Sequence, residues 1–264
     1  TPLPIGKLTI TGLHQGKSLL YHCDGASPAV ALGESSRACY LPDGRLAFAK
    51  DGAVLVRDLK SGTTTPLRVP ASATGFDVLP KGEEIVYVLK DNDAFSIHVS
   101  QKDGTGSRQL KKSSKGEWLG APKWSPDGKQ VLFVRGKVRD VVEQVFVMDA
   151  EGGSEAALSG PGGIHASPCW SPDGTEIAFV NLKDSTIHLQ RLDGTKPRII
   201  DKGKEVQPMN RIAWSPDGQW IAYGRGALNE GHGIWIVRPD GSDERQIITS
   251  KEREIHWMPL SWAR

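Results

Sequence analysis

The chain has 264 residues, 38% of them hydrophobic and 24% charged, which is the composition of an ordinary soluble protein with ample apolar content for a core. A formal charge of +2 favours neither a nucleic-acid binder nor a membrane-surface binder, and no apolar run is long enough to span a bilayer. Three scattered cysteines, without a CxxC pair, exclude a disulfide framework and a metal finger.

Taken in chain order, the opening TPLPIGKL lacks the basic and apolar regions of a signal peptide. Lys7–Thr11 and Ser18–His22 then read as strands, Asp24-Gly25 as a turn and Ala29–Leu32 as a further strand. From Tyr40 onward a pattern repeats. Tyr40-Leu-Pro-Asp-Gly44 and Val78-Leu-Pro-Lys-Gly82 are degenerate forms of Trp-Ser-Pro-Asp-Gly, which is spelled in full at Trp124–Gly128, Trp170–Gly174 and Trp214–Gly218. Pro259-Leu-Ser-Trp262 matches the approach to the motif once more. The aligned positions, Tyr40, Val78, Trp124, Trp170, Trp214 and Trp262, are separated by 38 to 48 residues. Such a period marks propeller blades or helical arrays.

The segments after each motif decide between the two. Arg45–Ala49, Glu84–Val88, Gln130–Val134, Glu176–Val180 and Trp220–Tyr223 are four or five residues long, rich in β-branched and aromatic side chains, and bounded by turns. That is strand composition. A second run, such as Gln144–Asp149 or Ile187–Asp193, ends at an Asp or Gly turn, and a weaker third run, such as Arg245–Ile248, closes the unit. The lysines Lys111, Lys112 and Lys115 read as part of a solvated loop. No segment keeps a helical period, so the fold class is all-β.

The motif suits the joint between the first and second strands of each unit. Proline presets φ for the first central position of a type I turn, Asp tolerates the second, and Gly supplies the left-handed conformation after them. The aligned Trp falls near the end of the inner strand, where a large ring can fill the space between neighbouring units. WSPDG is therefore architectural. Five units occupy about residues 34–254, and a sixth is split between residues 1–33 and 255–264. The prediction is one domain, a six-bladed β-propeller of four-stranded blades, closed by pairing the C-terminal strand with the N-terminal ones.

The stretch Ser167-Pro-Cys-Trp-Ser-Pro-Asp-Gly-Thr-Glu-Ile-Ala-Phe-Val180 resembles the repeat of TolB-type, WD-like propellers, as do Ala121–Val134 and Arg211–Tyr223. The resemblance spans essentially the whole chain and is strongest from Trp118 to Ser250. It implies a bacterial propeller in the periplasm or otherwise outside the cytoplasm. It does not specify an activity, because similar repeats occur in sensor domains, peptidase propellers and pectate-type lyases.

Fold does not imply function, so the chemistry must come from a site. There is no G-x-S-x-G elbow, no H-E-x-x-H and no phosphate-binding loop, and Gly160–Gly163 lacks the dinucleotide spacing. Ligands of propellers usually enter where the inner strands begin, so the loops before the aligned aromatics supply the candidates. Trp118 and Trp257, with Arg37 and Arg211, are the residue types of protein-binding hot spots. The tryptophans alternatively pack between loops, and the arginines either bind an acidic ligand in the channel or balance nearby carboxylates such as Asp77. His165, His256 and Gln207 come from different blades toward the same opening and would hold a divalent metal in the channel if they converge. Cys39 and Cys169 share the position before the aromatic, three blades apart, and are expected as buried unbridged thiols. The preferred reading is a non-enzymatic, monomeric scaffold for a protein or peptide partner. A metal-assisted polysaccharide lyase or hydrolase is the alternative.

Overall fold

The turn chemistry of the repeat sets the architecture. The structure is a computed structural model, and it describes residues 7–14, 17–23, 30–35, 37–41, 43–70, 73–80, 82–137, 139–201, 211–227, 231–249 and 256–263. In all three full motifs the Gly amide donates to the Ser carbonyl three residues earlier, at 3.0 Å for Gly128, 2.9 Å for Gly174 and 2.9 Å for Gly218. These glycines take φ values of 76°, 72° and 72°, the left-handed region that a side chain disfavours. Gly44 and Gly82 of the degenerate copies do the same, at 81° and 78°.

Serine and aspartate of the motif carry more than the sequence suggested. Ser215 Oγ donates to Asp217 Oδ1 at 2.6 Å and accepts the Trp220 amide at 2.9 Å, while the Gln219 amide donates to the same Asp oxygen at 3.0 Å. The same relay runs through Ser125–Asp127–Gln130 and Ser171–Asp173–Glu176. Each serine is buried, so its hydroxyl satisfies an amide that water does not reach.

The hairpins assemble into six four-stranded antiparallel sheets, each running in chain order from an inner to an outer strand. Blade 1 begins with Ala38–Tyr40, blade 2 with Ala73–Val78, blade 3 with Glu117–Trp124, blade 4 with His165–Trp170 and blade 5 with Ile212–Trp214. Blade 6 joins the two ends of the chain. Its inner strand, His256–Ala263, pairs with Lys7–His14, followed by Lys17–Cys23 and Val30–Glu34. This pairing closes the ring, as the repeat count predicts. Among the described residues there is no helix. Lys111 and Lys112, read from the sequence as part of a loop, lie in the outer strand of blade 2, Arg108–Lys112, where Lys111 pairs with Glu155 of blade 3.

Six apolar clusters form between blades rather than within them. Trp124 sits with Leu79, Val86 and Val99 of blade 2 and with Val131 and Phe133 of its own blade. Trp170 packs against Leu132 and Val145 of blade 3, Trp214 against Val180 and Leu189 of blade 4, and Trp262 against Ala222 and Ile236 of blade 5. The aligned ring thus fills the wedge that two twisted sheets leave between them.

In every blade but the fifth, where Ala213 stands, the residue before the aligned position takes part in a polar clasp to the next blade. Asp77 Oδ2 accepts the Trp124 amide at 3.0 Å, and Ser261 Oγ accepts the Tyr40 amide at 3.1 Å. The thiols of Cys39 and Cys169 meet the backbone of Val78 and Trp214. Blade 3 reverses the partners: the Trp170 indole donates to the Lys123 carbonyl at 3.2 Å. Apolar wedges and polar clasps together tie the blades around the axis.

Candidate functional site

The six inner strands surround a channel. Its cavity, about 550 Å³, is bordered by residues of every blade, among them Ala38, Phe76, Pro122, Pro168, Ile212 and Trp262. Three of the four residues proposed to meet a partner, Trp118, Arg37 and Arg211, border this one space although they come from blades 3, 1 and 5. Trp257 lies in the inner strand of blade 6 opposite Gly12, and its side chain falls outside the described residues.

Trp118 is held by missing side chains. A Cβ on Gly136 would come within 2.3 Å of the indole Nε1, and one on Gly120 within 2.8 Å of Cζ3. The ring therefore lies across the backbone of two paired strands, partly exposed, on the channel wall. Packing, one of the two alternatives set out by the sequence, fixes this residue as an aromatic platform that borders an open cavity.

Arg37 and Arg211 precede the inner strands of blades 1 and 5, each three residues before the aligned aromatic. Neither guanidinium has a hydrogen-bond or carboxylate partner among the described residues. Burial lowers Arg37 from its ordinary pKa. Burial, and then the charge of Arg37, lowers Arg211 to about 10. Asp77, the carboxylate expected to balance them, is engaged elsewhere. Its Oδ1 accepts from Lys123 Nζ at 3.0 Å, and its Oδ2 holds the Trp124 amide. Burial works against the Lys123 ammonium, yet Asp77 raises its pKa above the ordinary lysine value.

The metal candidates separate differently. His165 is the first residue of the inner strand of blade 4, but its imidazole is only 6% exposed and does not border the channel. Its Nδ1 lies 3.1 Å from the Glu143 carbonyl, and its ring meets Phe179 edge-on at 5.3 Å. His188 stacks on the same Phe179 at 5.2 Å. Burial lowers the pKa of both imidazoles. His256 pairs through its backbone with Leu13, and its side chain lies outside the described residues, as does Gln207 entirely. Among the described residues no three His, Cys, Asp or Glu side chains stand close enough to share a metal ion. Cys39 and Cys169 are unbridged, and burial first of all pushes each thiol up to about 12.

Sequence reasoning missed the Asp77–Lys123 pair and the small residues level with the two arginines. Aligning whole inner strands would have found both. The position three before the aromatic reads Arg37, Gly75, Ala121, Ser167 and Arg211, and the position one before it reads Cys39, Asp77, Lys123, Cys169, Ala213 and Ser261.

A family model for the TolB beta propeller domain matches residues 40–261. The chain belongs to the TolB beta-propeller family. Among solved structures it is similar to TolB from Acinetobacter baumannii, with a TM-score of 0.78 at 18% identity over 97% of this chain and 67% of that one. It is also similar to putative TolB from Agrobacterium tumefaciens, with a TM-score of 0.71 at 16% identity over 99% of this chain and 100% of that one. An oligogalacturonate lyase in complex with manganese aligns with a TM-score of 0.66 at 17% identity, over 93% of this chain and 74% of that one. At these identities the likeness is one of fold. No curated protein matches the chain. Among the described residues of this TolB-family propeller, no helix is long and apolar enough to cross a membrane.

Proposed function

We propose that this propeller is a non-enzymatic binding module, monomeric and outside the cytoplasm, whose channel mouth receives a segment of a protein or peptide partner. The observation that carries the reading is the convergence of Trp118, Arg37 and Arg211 on one channel. Tryptophan and arginine dominate the energetics of protein recognition because each combines a large contact area with a directional polar group. The aromatic platform is fixed in advance by Gly120 and Gly136, so little conformational entropy is lost when a partner covers it. The cavity falls in the range of about 300–1,000 Å³ typical of sites that enclose a ligand. TolB-family membership supports a scaffold role and the extracytoplasmic location.

Selection of a displayed random-peptide library on the purified propeller tests the reading. Selected peptides are expected to compete with one another for one site and to lose at least about tenfold in affinity on Trp118→Ala, the scale of a hot-spot residue. Peptides that bind without competing, or that tolerate Trp118→Ala and Arg211→Ala alike, would remove the channel mouth as the contact surface.

A further inference from the structure

We infer that Arg37 and Arg211 form an oxyanion subsite in the channel mouth, and that the partner segment fills it with a carboxylate. This inference rests on the binding-module reading and specifies the chemistry of what binds.

The described wall of the channel carries an imbalance of charge. Among the described residues, the charged ones bordering the channel are Arg37, Lys123 and Arg211, all cations. Lys123 is paired with Asp77 at 3.0 Å, so its charge is answered within the protein. The two guanidiniums are not answered by any described residue. Arg211 is half-buried while Arg37 is exposed, so the cost of holding an unpartnered charge away from water falls on Arg211, and the like charge of Arg37 adds to it. That Arg37 depresses Arg211 shows that each lies within the field of the other.

The ring geometry leaves space in front of them. At the same repeat position blades 2, 3 and 4 carry Gly75, Ala121 and Ser167, and all three border the channel. Small residues on one side of the ring thus oppose two long cations on the other. Gly75 is itself close-packed, with its Cβ position 3.4 Å from Pro122 Cδ. A guanidinium is the side chain that grips a carboxylate through two parallel N–H donors, and a pair of them can hold both oxygens. The cavity is far larger than one small anion, and its wall sets the apolar surfaces of Trp118, Phe95, Phe76 and Pro168 beside the polar side chains of Thr74, Ser167 and Ser261. That combination suits a carboxylate carried on a chain better than a free inorganic ion.

The test compares three probes at physiological ionic strength, where steering by distant charges is screened. The first is a fluorescein-labelled hexapeptide with two adjacent glutamates, the second is its glutamine twin, and the third is succinate or inorganic phosphate against chloride. The acidic peptide is expected to bind at least tenfold more tightly than its twin. Arg211→Gln and Arg37→Gln should each abolish that preference while leaving the melting temperature unchanged or higher, since each relieves repulsion. Arg191→Gln, which removes an exposed cation paired with Asp193, should leave the preference intact. Equal binding of the two peptides, or a preference that survives both channel variants, overturns the subsite and leaves the binding-module reading standing. Stabilisation by succinate or phosphate, abolished by Arg211→Gln and without peptide binding, supports the subsite, assigns it a free anion and sinks the peptide reading. No discrimination by any probe overturns the subsite.

Discussion

Asp77 of blade 2 grips both ends of one residue pair in blade 3: its carboxylate accepts the Trp124 amide through one oxygen and the Lys123 ammonium through the other, each at 3.0 Å. Replacing it with alanine leaves an amide and a mostly enclosed ammonium without partners. Asp77→Ala is expected to cost about 2–4 kcal/mol, the range for stripping a partner from a buried charged pair. Asp77→Asn keeps an acceptor for the amide and should cost less. Chemical denaturation of both variants, compared at constant slope, checks the ordering.

The serines of the repeat should behave as structural residues. Ser215→Ala removes the acceptor of the buried Trp220 amide and the donor to Asp217, and should destabilise by about 1–3 kcal/mol. Asp217→Ala, at an exposed position, should cost less than Ser215→Ala. Equal effects would mean that the relay is held by its solvent-facing end.

A methyl group on Gly136 would sit where the Trp118 indole lies. Gly136→Ala is therefore expected to displace the ring, altering near-ultraviolet circular dichroism while the far-ultraviolet spectrum stays unchanged. It should weaken the selected peptides about as much as Trp118→Ala does. Wild-type affinity in this variant would show that the orientation of the platform is not used.

Acid should weaken the fold in two windows. Burial holds the native pKa of His98, His165 and His188 below the ordinary imidazole value. The unfolded chain then takes up protons from about pH 6.5 downward while the native state does not, so stability falls as pH drops through that range. His165→Gln should flatten part of this slope in calorimetry between about pH 7.5 and 5.5. In the second window Asp127 and Asp173 act, their pKa values lowered first by the Ser125 and Ser171 hydroxyls. Their contribution is present above the unfolded carboxyl value and is lost as pH falls below about 4.

Cys39 and Cys169, pushed up to about 12, hold almost no thiolate at neutral pH. A thiol reagent at about pH 8 is expected to leave both unmodified in the native protein and to find three thiols after denaturation. Rapid native modification of the buried Cys39 would mean that the channel wall opens on that timescale, whereas the half-buried Cys169 already borders the channel.

The sequence by itself determined the fold because the fold is built from local decisions. A Pro-Asp-Gly turn, an aromatic at its entry and a short apolar strand after it are each fixed within about ten residues, and their period counts the blades. It also named Trp118, Arg37 and Arg211, since each holds a definite place relative to the repeat. Tertiary structure decided what those side chains face. Arg37 and Arg211 are brought to one cavity only by closure of the ring, and Asp77 is taken from them by Lys123 of the neighbouring blade. The repeat placed His165 at the start of an inner strand, but its ring lies on Phe179 of its own blade, with Nδ1 3.1 Å from the Glu143 carbonyl of blade 3, rather than in the channel. A repeat specifies where each backbone runs. Which side chains meet depends on contacts between blades, and no single blade encodes those.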